Sequence, residues 1–287
     1  MIFIMVNSLM FLALVKILKF LCDFNLVNKG AMMKYKPLVY RLYSFYIMIR
    51  TFFNKDFKND MSRYTSLYGG DNFRIDKKYM LPCLDDKNDS AGVLGSYFWQ
   101  DLWAAQHIFE DNPKIHYDIG SRIDGFIAHL ASFRKNITLI DIRPLSIDIP
   151  NVDFIQADAT NLDNIPDESI ESLSSLCALE HFGLGRYGDS VDPYACFKAF
   201  SAIQRKIKKE GKIYISVPVG KEHLEFNAHR VFYPETLINS FNEMKLLEFS
   251  YINPNFGQIE YNVDIHKYDN DLEYGGNNFG LFVFEKL

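Results

Sequence analysis

The chain has 287 residues, 48% of them hydrophobic, 23% charged and 15% aromatic, enough apolar material for a sizeable core and too much for an intrinsically disordered protein. A formal net charge of −5 argues against a general nucleic-acid binder. That average hides a gradient, because residues 1–60 hold nine Lys/Arg and three Asp, a net of +6, which leaves −11 for the remainder. Cys22, Cys83, Cys177 and Cys196 lie far apart with no C-x-x-C spacing, so neither a zinc knuckle nor a disulfide framework is expected and a reducing compartment fits best.

In chain order, Met1 to Val15 is an uncharged run that ends at Lys16, shorter than the roughly 18 to 20 residues needed to span a bilayer. It lacks the basic start and small-residue cleavage site of a secretory signal. From Tyr35 to Phe53, Leu38, Leu42, Phe45, Ile49 and Phe52 recur at helical spacing with Lys36, Arg41 and Arg50 between them, as in an amphipathic helix. Such a face suits a cytoplasmic membrane surface. It equally suits packing on the main domain, or a leader preceding an internal start at Met32 or Met33. Residues 54–95 are polar and broken by Gly69, Gly70 and Pro82, which reads as a linker or lid-like loop. The expected organisation is a basic, apolar helical extension over 1–60, a linker or lid over 61–95 and a folded domain over 96–287.

Beyond residue 95 the pattern alternates short apolar strands with helical segments, the signature of a parallel sheet covered by helices. Strands are expected at Lys114 to Ile119, Ile137 to Ile142, Val152 to Gln156, Ile170 to Cys177, Lys212 to Val217, Lys245 to Tyr251 and Phe279 to Phe284. Helices are expected at Ser121 to Phe133, Pro193 to Lys208 and Pro234 to Phe241. Asp192-Pro193 reads as an N-cap with a first-turn proline, and Gly211 as the stop of that helix. The last two strands have no long helix between them, so the final strand should run antiparallel.

The sharpest local motif is Tyr117-Asp-Ile-Gly-Ser-Arg122 at a strand-to-helix turn. There Gly120 lets backbone approach a ligand and Ser121 begins a helix with unpaired N–H groups, although a tight turn in any α/β protein favours the same residues. Asp141 ends the next strand, 21 residues after Gly120, where an acid accepts hydrogen bonds from ribose hydroxyls. Asp158 follows the third strand. Three acids on successive strand ends, with no phosphate-binding lysine, point to a nucleoside with a neutral or cationic tail.

This set resembles the class I S-adenosylmethionine-dependent methyltransferases. The resemblance implies a Rossmann-like α/β fold, with a mostly parallel seven-stranded sheet in the order 3-2-1-4-5-7-6. It implies S-adenosylmethionine as cofactor, with Asp118, Gly120 and Ser121 in the first motif, Asp141 and Ile142 at the ribose, and Asp158-Ala159 at the adenine. Arg122 stands where the family usually has its second glycine. A closer resemblance, over roughly residues 95–255, is to the bacterial and plant family of the domain of unknown function 268, carried by Asp141-Ile-Arg-Pro-Leu145, Ser172-Leu-Ser-Ser-Leu-Cys-Ala-Leu-Glu-His181, Gly183-Leu-Gly-Arg-Tyr-Gly-Asp189 and Phe226-Asn-Ala-His-Arg230. It implies methylation of a sugar or lipid-linked glycan in surface-polysaccharide assembly, in the cytoplasm and at the inner membrane face.

His181, with Glu180 beside it, is the candidate catalytic base, since its ordinary pKa near 6.5 suits proton removal at neutral pH. The alternative is a structural histidine bonded to a loop carbonyl. Arg186, Tyr187 and Asp189 lie in a three-glycine loop suited to binding an acceptor, or Arg186 and Asp189 pair locally. His223, Asn227, His229 and Arg230 follow the fifth strand and are expected at the same rim, with Arg230 gripping an acceptor carboxylate or phosphate. No metal is expected, because His223 and His229 are six apart without an i, i+4 pair or cysteine partner. A nicotinamide enzyme lacks its G-x-G-x-x-G turn and a serine hydrolase its G-x-S-x-G elbow. A noncatalytic scaffold that keeps the fold is the alternative to an enzyme.

Overall fold

The computed structural model describes residues 45–287 apart from 46, 71, 85–93, 134–135, 254–257 and 271–277. Readings that fall on residues 1–44 lie outside the described residues. The chain divides into two compact units, Met1–Gly92 and Val93–Leu287.

In the first unit residues 47–53 are helical, and a second helix, α1 (Lys55–Leu67), follows at once. Part of the stretch that reads as a linker is therefore ordered. Asn54 explains why, since its side-chain oxygen accepts the Phe57 amide at 2.8 Å and so caps a polar helix. No α1 residue is buried, and Phe45, Met48, Phe52 and Phe53 are exposed on the preceding segment.

The second unit is built on strands β1 (Ile115–Ile119), β2 (Asn136–Asp141), β3 (Val152–Gln156), β4 (Ile170–Leu176), β5 (Ile207–Pro218), β6 (His223–Glu225), β7 (His229–Val231), β8 (Met244–Asn253), β9 (Gln258–Glu260) and β10 (Phe279–Lys286). Eight of them form one Rossmann-like sheet in the order β3-β2-β1-β4-β5-β10-β8-β9. The first five pair in parallel. The last strand, β10, runs antiparallel between β5 and β8. The expected order is thus present with one addition, β9, on the edge beyond β8. β6 and β7 form a separate hairpin.

Helices cover both faces. α2 (Ser96–Asp111) and α3 (Ala128–Ser132) bury Trp103, Ile108 and Leu130 against Leu139, Leu281 and Val283 on one face. α4 (Ala195–Lys206) and α5 (Pro234–Ser240) bury Phe200, Ile203 and Leu237 against Ile140, Leu173, Ile215 and Phe282 on the other. Strand side chains alternate between the two clusters because successive Cβ atoms point to opposite faces.

Three boundaries differ from expectation for local reasons. The segment after β1 opens as a π-helical turn, Ile123–Ile127, before α3. α4 begins at Ala195, not Pro193, because Asp192 closes a preceding turn by accepting the Tyr194 amide on its side chain and the Ala195 amide on its carbonyl. Finally, α4 ends at Lys206, and Gly211 lies inside β5. A Cβ there would come within 3.0 Å of the Ile170 carbonyl oxygen, so glycine permits close backbone approach where the β4–β5 register shifts.

Candidate functional site

The C-terminal ends of β1, β2 and β3 open onto a cavity of about 110 Å³ that is open to solvent, at the crevice where open α/β sheets take their ligands. Gly120, Asp141, Ile142, Asp158 and Ala159 line it, and from across the crevice come His181, Tyr187 and Asp189. Eight of the expected site residues therefore share one space. Phe182, Gly183, Thr160 and Asp192 also line it; apart from the loop glycine and Asp192, read as a helix cap, no sequence signal singled these out.

The first turn is held from within. Gly120 adopts φ +70, and a Cβ on it would meet the Ala178 Cβ at 3.0 Å, so the turn demands glycine. Asp118 does not reach into this cavity. Its carboxylate, 1% exposed, accepts the Ser121 amide at 3.0 Å, the Ser121 hydroxyl at 2.6 Å and the Ser174 hydroxyl at 2.5 Å. The Ser121 hydroxyl also accepts the Leu176 amide at 3.0 Å, which ties the turn to β4. Burial pushes the Asp118 pKa up to about 6 against these hydrogen bonds. Ser174 also meets His116 Nε2 at 2.8 Å, and Ser172 meets Nδ1 at 2.8 Å. Burial lowers the His116 pKa to about 3, so this imidazole is neutral.

Asp141 carries a partner that the sequence reading missed. Arg143 donates its amide and Nε to Asp141 Oδ1 at 2.8 and 3.0 Å, and Nη2 to Oδ2 at 2.7 Å. Both carboxylate oxygens are engaged. The D-x-R spacing was the available signal, since an Asp commonly accepts the amide two residues on. Asp158 uses Oδ1 in the same way for the Thr160 amide at 2.9 Å.

His181 stands on a short 3₁₀ turn, Leu179–His181, after β4. Its Nδ1 lies 2.6 Å from the Ala228 carbonyl, which assigns the proton to Nδ1 and leaves a lone pair on Nε2. Nε2 lies 3.6 Å from Glu180 Oε1. Desolvation lowers the His181 pKa to about 4 and raises that of Glu180 to about 8, so at pH 7 a neutral imidazole adjoins a neutral carboxyl. The loop carbonyl contact therefore leaves Nε2 with a lone pair, but burial makes it a weaker base than the ordinary imidazole on which the expectation of a catalytic base rested.

The glycine loop is organised by Asp189, which accepts the Gly183 and Gly185 amides on Oδ2 at 2.7 and 3.4 Å and the Tyr187 amide on Oδ1 at 3.2 Å. Local pairing of Arg186 with Asp189 does not occur; Arg186 instead donates to the Ala228 carbonyl at 3.0 Å.

The hairpin residues are placed differently from expectation. Neither His223, Asn227, His229 nor Arg230 lines the cavity. Arg230 donates Nη1 to the Glu180 and Phe182 carbonyls at 3.2 and 2.7 Å, and Nη2 to the Pro193 carbonyl at 3.2 Å. Its fork clamps the 180–193 segment in place of an acceptor anion. His223 contacts the Lys221 carbonyl, His229 Nε2 lies 3.4 Å from Glu225, and Asn227 sits in the turn between β6 and β7. The hairpin reaches the site through Ala228 and Arg230. Among the described residues no group of three or more His, Cys, Asp or Glu is gathered as for a metal ion.

Residues 147–275 match the model of a family described as Caenorhabditis protein of unknown function, DUF268. Over that stretch the chain resembles the DUF268 family. No curated protein matches the chain. Among solved structures, a Burkholderia thailandensis 1,6-didemethyltoxoflavin-N1-methyltransferase with bound S-adenosylhomocysteine is 15% identical, with 70% of this chain and 81% of that chain covered, at a TM-score of 0.48. The N-methyltransferase NodS from Bradyrhizobium japonicum is 12% identical, covering 71% and 91%, at 0.43. A TehB-like SAM-dependent methyltransferase from Corynebacterium glutamicum is 14% identical, covering 80% and 97%, at 0.42.

Proposed function

We propose that the protein is an S-adenosylmethionine-dependent methyltransferase acting on a small-molecule acceptor. The observation that carries this reading is the convergence of the Gly120 turn, Asp141, Asp158 and His181 on one cavity at the carboxyl edge of the sheet. The residues fit such a cofactor: the glycine turn offers backbone at close range, Asp141 at the end of β2 would hold the ribose, and Asp158 beyond β3 stands where the methyltransferase resemblance implies the adenine. When bound, S-adenosylmethionine supplies an electrophilic methyl group on a sulfonium. The chain contributes position and proton transfer. Asp141 accepts hydroxyl hydrogen bonds, Phe182 and Ala159 exclude water, and His181 takes the proton of the acceptor nucleophile on Nε2. Glu180, protonated below its pKa of about 8, positions that imidazole. The acceptor in this reading is a sugar or lipid-linked glycan of surface-polysaccharide assembly, supported by the resemblance of the motif strings. The exposed aromatic residues of the basic amino-terminal unit support contact with the cytoplasmic membrane surface.

Calorimetric titration with S-adenosylhomocysteine tests the cofactor. The intact protein is expected to bind, and Asp141→Ala to lose at least tenfold in affinity, as expected when a charged hydrogen-bonding partner worth about 1.5–3 kcal/mol is removed. A noncatalytic scaffold is favoured by one feature, the Arg143 cap on both oxygens of Asp141. It predicts no binding by either form, an outcome that would sink the methyltransferase reading.

A further inference from the structure

None of the described residues of the first unit is buried, yet they enclose a groove of about 860 Å³ that is open to solvent. Its apolar wall is made by Ile47, Met48 and Phe52 of the leading helical segment, Phe57 and Met61 of α1, and Met80 beyond a short 3₁₀ turn, Lys77–Tyr79. Met48, Met61 and Met80 bring unbranched, polarisable side chains that adapt to irregular apolar partners. A sizeable apolar concavity left open in this way marks a contact site. Two cations share it. Lys58 and Lys77 line the groove and are exposed, and Lys58 Nζ stands 4.4 Å from the Phe52 ring centroid. Asp76, next to Lys77 in the chain, pairs with Lys78 at 3.3 Å, and no described Asp or Glu lines the groove.

Charge decides what the groove takes. Residues 1–44 hold six Lys/Arg and one Asp, a net of +5, so the chain's own leading segment would meet the two lysines with like charge, as would a second copy of this unit. The complementary occupant joins hydrocarbon to negative charge. We propose that the groove is a lipid site, in which Phe52, Phe57, Met61 and Met80 receive acyl chains while Lys58 and Lys77 hold the phosphate of an anionic phospholipid. Lysine binds phosphate as a point charge, and its stem extends the apolar surface toward the head group. This inference rests on the membrane contact proposed above and narrows it from a surface to a site for one lipid molecule. It is independent of the cofactor reading.

The full-length protein is titrated calorimetrically with dioctanoyl phosphatidylglycerol, dioctanoyl phosphatidylcholine and glycerol 3-phosphate, each lipid below its micelle-forming concentration. The phosphatidylglycerol should bind saturably at one site. The phosphatidylcholine, whose choline offsets the phosphate charge, should bind about tenfold more weakly, as the loss of two lysine contacts implies. Glycerol 3-phosphate, which has no chain to bury, should not bind measurably. Lys58→Ala with Lys77→Ala should erase the preference between the two lipids, whereas Lys55→Ala with Arg63→Ala, equal in charge and outside the groove, should keep it. A preference that survives the first pair, or is lost equally in the second, overturns the groove, as does glycerol 3-phosphate binding as tightly as the lipid or no binding of monomeric phosphatidylglycerol. Vesicles of phosphatidylglycerol then separate the two readings: if the parent still co-sediments with them, only the groove falls, and if it does not, the membrane contact falls with it.

Discussion

Burial decides the chemistry of individual side chains here more than charge pairing does. Glu180 is 1% exposed, and desolvation carries its pKa from 4.5 to about 8. The native state therefore holds this proton over a range in which the unfolded chain has released it. The contribution to stability is present below pH 4.5 and is lost as pH rises toward 8. Glu180→Gln, which cannot ionise, should remove that slope, so the parent should lose stability relative to the variant between pH 5 and pH 8 in urea denaturation. A parallel pH dependence of the two proteins would refute the assignment. His116 carries the opposite sign. Its pKa falls from 6.5 to about 3 on burial, so its stabilising contribution is lost as pH falls through that window, the usual acid-denaturation behaviour of a histidine buried neutral. His116 is met by the Ser172 and Ser174 hydroxyls, whereas Glu180 Oε2 is buried with no hydrogen-bond partner among the described residues.

At the scale of elements, β10 holds the sheet together because it pairs along its length with both β5 and β8. Phe282 on this strand is fully buried and meets Phe249 with ring centroids 4.8 Å apart. Phe282→Ala should cost roughly 3–5 kcal/mol by equilibrium urea unfolding, whereas Phe226→Ala, on the exposed hairpin turn, should stay within about 0.5 kcal/mol. Among the described residues no helix lies between β8 and β10, and β10 pairs antiparallel with both of its neighbours, which needs no crossover helix. The ends of α4 were less legible. An Asp-Pro pair resembles a helix start and a glycine a helix stop, but Asp192 closes a turn ahead of the helix, and at Gly211 a Cβ would meet the Ile207 side chain and Lys208 carbonyl of its own strand as well as the Ile170 carbonyl of β4.

For the molecule as a whole, net charge differs between the two parts of the chain, +6 over residues 1–60 and −11 over the remainder. The amino-terminal unit exposes Phe45, Met48, Phe52 and Phe53 in a segment of net positive charge, whereas the acidic second unit carries the cavity. No helix among the described residues is long and apolar enough to cross a membrane, so the proposed contact is interfacial. The full chain should co-sediment with vesicles containing anionic phosphatidylglycerol and much less with neutral phosphatidylcholine, and Phe52→Asp with Phe53→Asp should weaken that binding several-fold. Equal sedimentation with both lipids, or none, would count against the membrane reading.

The alternation of strands and helices and the acids at strand ends were readable from the chain, because period and turn chemistry are local properties that each segment carries by itself; the sheet order came from the resemblance to the class I methyltransferases. The conformational demand on Gly120 was readable for the same reason. What each polar side chain finally touches was decided only by the tertiary structure. Arg230 clamps carbonyls as far as 50 residues away, Arg186 reaches Ala228 across 42 residues, and Asp118 bonds Ser174 across 56. Such partners are chosen by where the sheet and hairpin bring backbone groups that burial leaves in need of hydrogen bonds, and nothing in the local pattern of the chain records that choice.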